Sequence, residues 1–256
     1  MLAIDTYELG IMYKKEKNPM LLINELNHLL GNIFEVKIYY TTSKGYDEQY
    51  QHLASRSRIK SNDRFIFIAF LYVDFLDSHI TVVQHSSANY LTFKFYGLFQ
   101  NDEKSKNKSL FTFNFLKNVL DLKYKIRNVK VDLAIDFNEN FYSVAEKFEP
   151  IFKAKNREPY IYKENETIYF NTPLVNNCIL KQKNSNEDLQ CSQKNTYLNI
   201  VIYNKTIKNR LNYELTRLEF SFKNVFNSAK MKYLKSFEDV EIIMNNLVKR
   251  VERYMI

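Results

Sequence analysis

The 256-residue sequence contains no tryptophan, four glycines, four prolines, four histidines and two cysteines. Several of these scarcities narrow the classes of function. Four glycines leave no G-x-x-x-x-G-K-S/T loop to cradle phosphates, so P-loop nucleotide triphosphate machinery is not expected. His28, His52, His79 and His85 never fall into HxH, HxxxH or HExxH spacing, and no GxSxG serine elbow occurs. Cys178 and Cys191 flank a polar segment without CxxC companions. Two free thiols in a reducing compartment are therefore expected, with a disulfide loop as the alternative. No apolar run reaches the roughly 18 residues that a membrane span needs. The N-terminal stretch MLAIDTYELGIMYKK carries acidic residues where a signal peptide carries positive charge, and no small-residue cleavage site follows. Together these readings describe a soluble, cytoplasmic protein with no membrane partner.

What is present in quantity is basic and aromatic. Lys and Arg number 37 against 29 Asp and Glu, a net charge of +8, with 19 Tyr and 20 Phe. A coding sequence rich in A and T would inflate Lys, Asn, Tyr and Phe alike, so spacing says more than abundance. The charge is uneven: residues 178–256 hold 14 basic against 8 acidic side chains, and residues 1–177 hold 23 against 21. A basic surface in the last third attracts polyanions, nucleic acid first. The bland alternative is a solubilising surface.

The elements follow from periodicity. Asn18-Pro19 caps and opens a helix over MLLINELNHLL, which Gly31 ends in the left-handed conformation. Alternation predicts strands over Ile33–Thr41, Arg64–Phe75, His79–Gln84, Tyr90–Phe99, Lys130–Asp136 and Thr167–Asn171. Leu110–Leu122 and Phe141–Lys153 read as helices. Ser236 caps a last helix with Val240, Met244, Leu247, Val251 and Tyr254 along one side. Residues 45–62, 101–109 and 181–195 read as loops. The expected fold class is α+β, with antiparallel sheets, packed helices and two related RRM- or ferredoxin-like units, 1–127 and 128–256.

Chemistry concentrates in two segments. In Tyr197–Phe222 the strand period puts Tyr197, Asn199, Val201, Tyr203 and Lys205 on one face; downstream, Arg217, Glu219 and Ser221 lie opposite Leu218, Phe220 and Phe222. A hydroxyl, an ammonium and a carboxylate converging on one sheet surface can attack a phosphodiester. A phenol needs help to be a nucleophile at neutral pH, from Lys205 or from a bound cation. Glu219 could complete a metal site or accept the phenolic proton. In Val131–Asp136, Asp132 and Asp136 project from the face opposite Val131, Leu133 and Ile135, with only Ala134 between them. That leaves room for a hard divalent cation. The plainer readings are a packing tyrosine and solvated or ion-paired acids.

The succession YLTFKFYGLFQ, KVDLAIDF, ETIYFNTP, IVIYNK and TRLEFSFK across residues 90–223 resembles the Rep_trans-type rolling-circle replication initiators, the replication initiation factor family of small plasmids and some phages. Lys130 to Asp136 is similar to that family's R-x-D-L-A-x-D strand, with Lys for Arg. Tyr203, Lys205, Arg217 and Glu219 match its Y-x-K and R-x-E segments. Asn171-Thr172-Pro173 departs from its Gly-Ser, and Phe137 stands where a further acid is common. The resemblance implies that Tyr203 attacks origin DNA, giving a 5′-phosphotyrosyl link and a 3′-hydroxyl primer. It implies Mg²⁺ or Mn²⁺ on Asp132, Asp136 and Glu219, and Lys205 positioning the phosphate or assisting the phenolate. Lys208, Arg210 and Arg217 are the candidates for DNA contact. A homodimer and a helicase partner are also implied. Tyr197 and Tyr213 stand close enough to substitute for Tyr203. A conjugative relaxase of the same family and a non-catalytic DNA-binding protein are the alternatives.

Overall fold

The computed structural model describes residues 2–13, 19–39, 65–76, 78–85, 89–100, 102–155, 160–163, 165–171, 198–223 and 234–256. Both cysteines, Tyr197 and the loops expected at 45–62 and 181–195 lie outside these residues. The chain divides into two compact units. One comprises Met1–Asp5, Lys130–Val225 and Glu241–Ile256; the other comprises Thr6–Val129 and Phe226–Val240. The main division falls inside a strand near residue 129, and each unit also takes a short piece from a distant part of the chain. No described helix is long and apolar enough to cross a membrane.

The elements, in chain order, are β1 (Leu2–Met12), α1 (Pro19–Leu29), β2 (Glu35–Tyr39), β3 (Phe65–Val73), β4 (Ser78–His85), β5 (Tyr90–Leu98), α2 (Glu103–Asp121), β6 (Ile126–Phe137), α3 (Phe141–Lys155), β7 (Tyr160–Lys163), β8 (Thr167–Asn171), β9 (Leu198–Asn204), α4 (Lys205–Asn209), β10 (Thr216–Lys223) and α5 (Phe237–Met255). The chain is α+β. Strands in the unit of β2 to β5 are ordered β2-β3-β4-β5-β1, and those in the other unit β6-β10-β9-β8-β7. Each unit thus runs strand, helix, four strands in meander, and a long closing helix, with its first strand beside its last. The units are related to one another in topology. Their succession differs from the β-α-β-β-α-β of a ferredoxin-like unit by an added strand and by the place of the second helix.

One expectation is corrected, and two strands lie where none was expected. The polar run at 101–109 is not a loop but the first turns of α2. Asp102 caps that helix by accepting from Ser105 N at 2.7 Å. The Ser105 hydroxyl donates to Gly97 O and the Ser109 hydroxyl accepts from Phe99 N at 2.8 Å, so small polar side chains tie the helix to the end of β5. Strands β1 and β7 also had no clear sequence signal. In β1 the interior residues are buried or half-buried in nearly every position, which removes the alternation that marks a strand.

In the unit that carries the candidate site, β6, β10, β9 and β8 pair antiparallel in that order. One sheet face is apolar: Leu133, Leu218, Phe220, Phe222, Ile200, Ile202 and Phe170 are all buried there. Phe152 of α3 packs on that face, 5.0 Å from Phe170 and 6.0 Å from Phe220 between ring centroids, and Tyr254 of α5 closes over Phe220 at 6.0 Å. Burying a residue such as Phe220 contributes roughly 1.5–3 kcal/mol, which fixes the register of the pairing. The opposite face is polar and carries the site.

Candidate active site

The register writes the polar face as rows across the strands. Asp136 on β6 lies opposite Arg217 on β10, which lies opposite Tyr203 on β9, which lies opposite Thr167 on β8. One row further, Glu219 lies between Ala134 and Val201; the next row holds Asp132, Ser221 and Asn199. Because facing residues in an antiparallel pair point the same way, Tyr203, Arg217, Glu219, Asp132 and Asp136 share one surface.

The first row is tied by charge. Arg217 Nε donates to Asp136 Oδ1 at 2.6 Å and Nη2 to Oδ2 at 2.7 Å, while Nη1 pairs with Asp5 of β1. Lys205 Nζ donates to the same Asp136 Oδ2 at 2.9 Å. Burial alone would raise the Asp136 carboxyl, but Arg217 and then Lys205 outweigh it and hold the group below its ordinary value of 3.8. Burial likewise works against the Arg217 charge. The Asp136 hydrogen bonds and the Asp5 charge outweigh that cost and raise its affinity for the proton. The pairing thus holds a buried arginine cation in place beside the tyrosine.

Tyr203 itself is 7% exposed. The ammonium of Lys208 lies 4.0 Å from its ring centroid, a cation–π contact. Lys205 does not continue β9, as alternation had suggested, but opens α4. The Asn204 side chain caps this short helix by accepting from Ile207 N at 3.1 Å, and Arg210 ends it in the left-handed region at φ 52°. Lys205 N also donates to Leu215 O at 2.8 Å, which keeps the turn against β10 and its ammonium on Asp136.

The carboxylates expected to hold a divalent ion share the face but not a site. Asp132 and Asp136 are four residues apart on one extended strand, about 13 Å along its axis, beyond the reach of two short side chains on one ion. Asp132 is buried against Lys130, and both oxygens of Asp136 are held by Arg217 and Lys205. No group of three or more His, Cys, Asp or Glu able to hold a metal occurs among the described residues. The arrangement does not fit the metal that the resemblance implies.

Arg217, expected at a DNA-contacting surface, is 2% exposed and spent on Asp5 and Asp136. Arg210 and Lys208 stand on the exposed turn after β9, and Tyr213 is 55% exposed there. Asp5 had no signal in the sequence, since nothing local marks a residue paired 212 positions away. Beside the row lies an open groove lined by Asn140, Tyr142, Ser143, Glu146, Glu166 and Glu214. Glu166, at φ 54°, accepts from Asn204 Nδ2 at 2.5 Å and from the Tyr142 hydroxyl at 3.2 Å. Left-handed backbone at a non-glycine residue costs about 1 kcal/mol or more, which these two hydrogen bonds offset.

No protein-family model matches this chain, and no curated protein matches it. Among solved structures, it is similar to the rolling circle replication initiator protein from Geobacillus stearothermophilus, with a TM-score of 0.48 and 10% identity over 96% of this chain and 79% of that one.

Proposed function

We propose that this chain is a replication initiation protein that nicks origin DNA through Tyr203. The reading is supported by the motif succession described above and, chiefly, by the row Tyr203–Arg217–Asp136. That row sets a phenol beside a cation kept charged by two carboxylates. In the proposed reaction the Tyr203 Oη forms a bond to phosphorus and the P–O3′ bond breaks. The phenolic proton passes to solvent and the departing 3′ oxygen takes one up, leaving a 5′-phosphotyrosyl link and a free 3′-hydroxyl. Arg217, fixed before the reaction, attracts the phenolate. Lys205 and Lys208 supply positive charge for the phosphate oxygens as their charge increases. Fixed donors in a site of low dielectric do this without reorganising. Origin DNA, a helicase and a second copy of the chain are the partners that this reading implies. A conjugative relaxase would use the same chemistry on a transfer origin.

A non-catalytic DNA-binding protein is the second reading, and the 7% exposure of Tyr203 favours it. The test is incubation with labelled single-stranded and supercoiled plasmid DNA containing the protein's own coding and upstream sequence, in the presence of Mg²⁺ or Mn²⁺. Wild type and Tyr203→Phe are then compared on a denaturing gel. The nickase reading expects a covalent protein–DNA band that the variant lacks. DNA binding without an adduct from either protein transfers the conclusion to the second reading.

A further inference from the structure

The turn joining β9 to β10, residues 205–215, exposes two large side chains and two cations. Ile207 is 63% and Tyr213 55% exposed, and Lys208 and Arg210 lie on the solvent side between them. The turn is nevertheless well tied. The Thr206 hydroxyl donates to Tyr213 O at 2.9 Å and accepts from Leu215 N at 2.7 Å, and Leu211 N donates to Thr206 O at 2.9 Å. Exposed apolar surface on an anchored turn needs an occupant more than exposed surface on a loose one does, because holding it in place brings no gain unless something lies against it.

We propose that this turn is a single-strand clamp: Tyr213 stacks an unpaired base while Lys208 and Arg210 hold the flanking phosphates. The inference rests on the nickase reading for its purpose but on the turn alone for its binding. One feature selects a single strand over a duplex, and two others fit its backbone. A base can lie flat on a tyrosine only when it is not already stacked in a helix, and such stacking is indifferent to sequence. Two exposed cations on the same turn as one exposed tyrosine provide for phosphate and base together. The neighbouring groove carries Glu146, Glu166 and Glu214, so phosphates are repelled from that side and guided to the basic one. The geometry also gives the clamp a role in the reaction. Lys208 lies 4.0 Å from the centre of the Tyr203 ring, so a phosphate drawn to that ammonium is drawn to the nucleophile. Tyr213 then serves to hold the strand across the nucleophile, not as a substitute nucleophile.

The experiment measures binding by fluorescence anisotropy of a labelled thymidine homopolymer and of its duplex with adenine homopolymer, using the full chain. Tyr213→Ala should weaken the single strand about tenfold and the duplex by less than twofold, while Tyr213→Phe retains wild-type affinity. Equal single-strand affinity for wild type and Tyr213→Ala, with matching circular dichroism and melting temperature, overturns the clamp. The covalent-adduct gel is run on the same proteins to keep the two readings apart. An adduct with an unaffected Tyr213→Ala affinity sinks the clamp alone. A tenfold binding loss without any adduct upholds the clamp and sinks the nickase. Loss of the adduct in Tyr213→Phe makes Tyr213 the nucleophile and overturns both.

Discussion

Arg217 grips both carboxylate oxygens of Asp136, through Nε at 2.6 Å and Nη2 at 2.7 Å, from the next strand of the same sheet. The fork-to-fork contact uses the planar geometry that only arginine offers. With Asp5 on the remaining nitrogen, an almost fully buried guanidinium is neutralised on two sides.

Removing the guanidinium should therefore be costly. Arg217→Met leaves Asp5 and Asp136 facing each other across an apolar gap and is expected to lose about 3 kcal/mol in urea denaturation. Arg217→Lys keeps the charge without the fork and should fall between the two. A loss below about 1 kcal/mol for the methionine variant would mean that the row contributes little to holding the sheet.

The same contact sets an acid limit on stability. The folded-state Asp136 carboxyl lies below its ordinary value of 3.8, so its contribution is complete above that value and is lost as pH falls through the folded one. Wild-type stability should decline below about pH 4, and Asp136→Asn should start lower and decline less over that range. Parallel acid limbs for the two proteins, measured by urea midpoints at successive pH values, would contradict the assignment.

Salt dependence separates the surface cations from the buried one. Lys208→Gln and Arg210→Gln are each expected to reduce the slope of log affinity against log salt by about 0.7 for a single strand. Arg217→Gln should leave that slope unchanged in protein confirmed as folded, because its charge is already spent on Asp5 and Asp136. A reduced slope for Arg217→Gln would place the guanidinium on DNA after all.

A fourth expectation concerns Tyr7 in the other unit. Its ring is 1% exposed, its hydroxyl has no hydrogen-bond partner among the described residues, and burial pushes the phenol well up. Tyr7→Phe removes an unsatisfied group and should raise stability by about 1 kcal/mol. A drop of that size instead would show that the hydroxyl is satisfied in solution.

Much of the fold was legible because its signals are local. Strand β8 matches its expected span of Thr167–Asn171, and the first helix begins at Pro19 and ends before Gly31, which is left-handed at φ 83° as expected; the expected cap, Asn18, lies outside the described residues. The closing helix buries Val240, Leu247 and Val251 of its expected stripe. Where side chains reverse their usual meaning, local reading failed. Ser105 and Ser109 look like loop residues but anchor a helix, and β1 buries both of its faces.

For the site, strand periodicity alone shows which side chains share a surface: a period of two places Arg217 and Glu219 together, and Asp132 with Asp136. It could not determine how those groups are spent. Charged residues are read as solvated by default, so a buried arginine carries no mark. Only the tertiary structure brought Asp5 to Arg217 across 212 positions and turned Asp136 toward two cations. The physical reason is that a sheet's register is fixed by its apolar face, whereas the partner of a buried charge depends on whichever distant strand that register brings alongside.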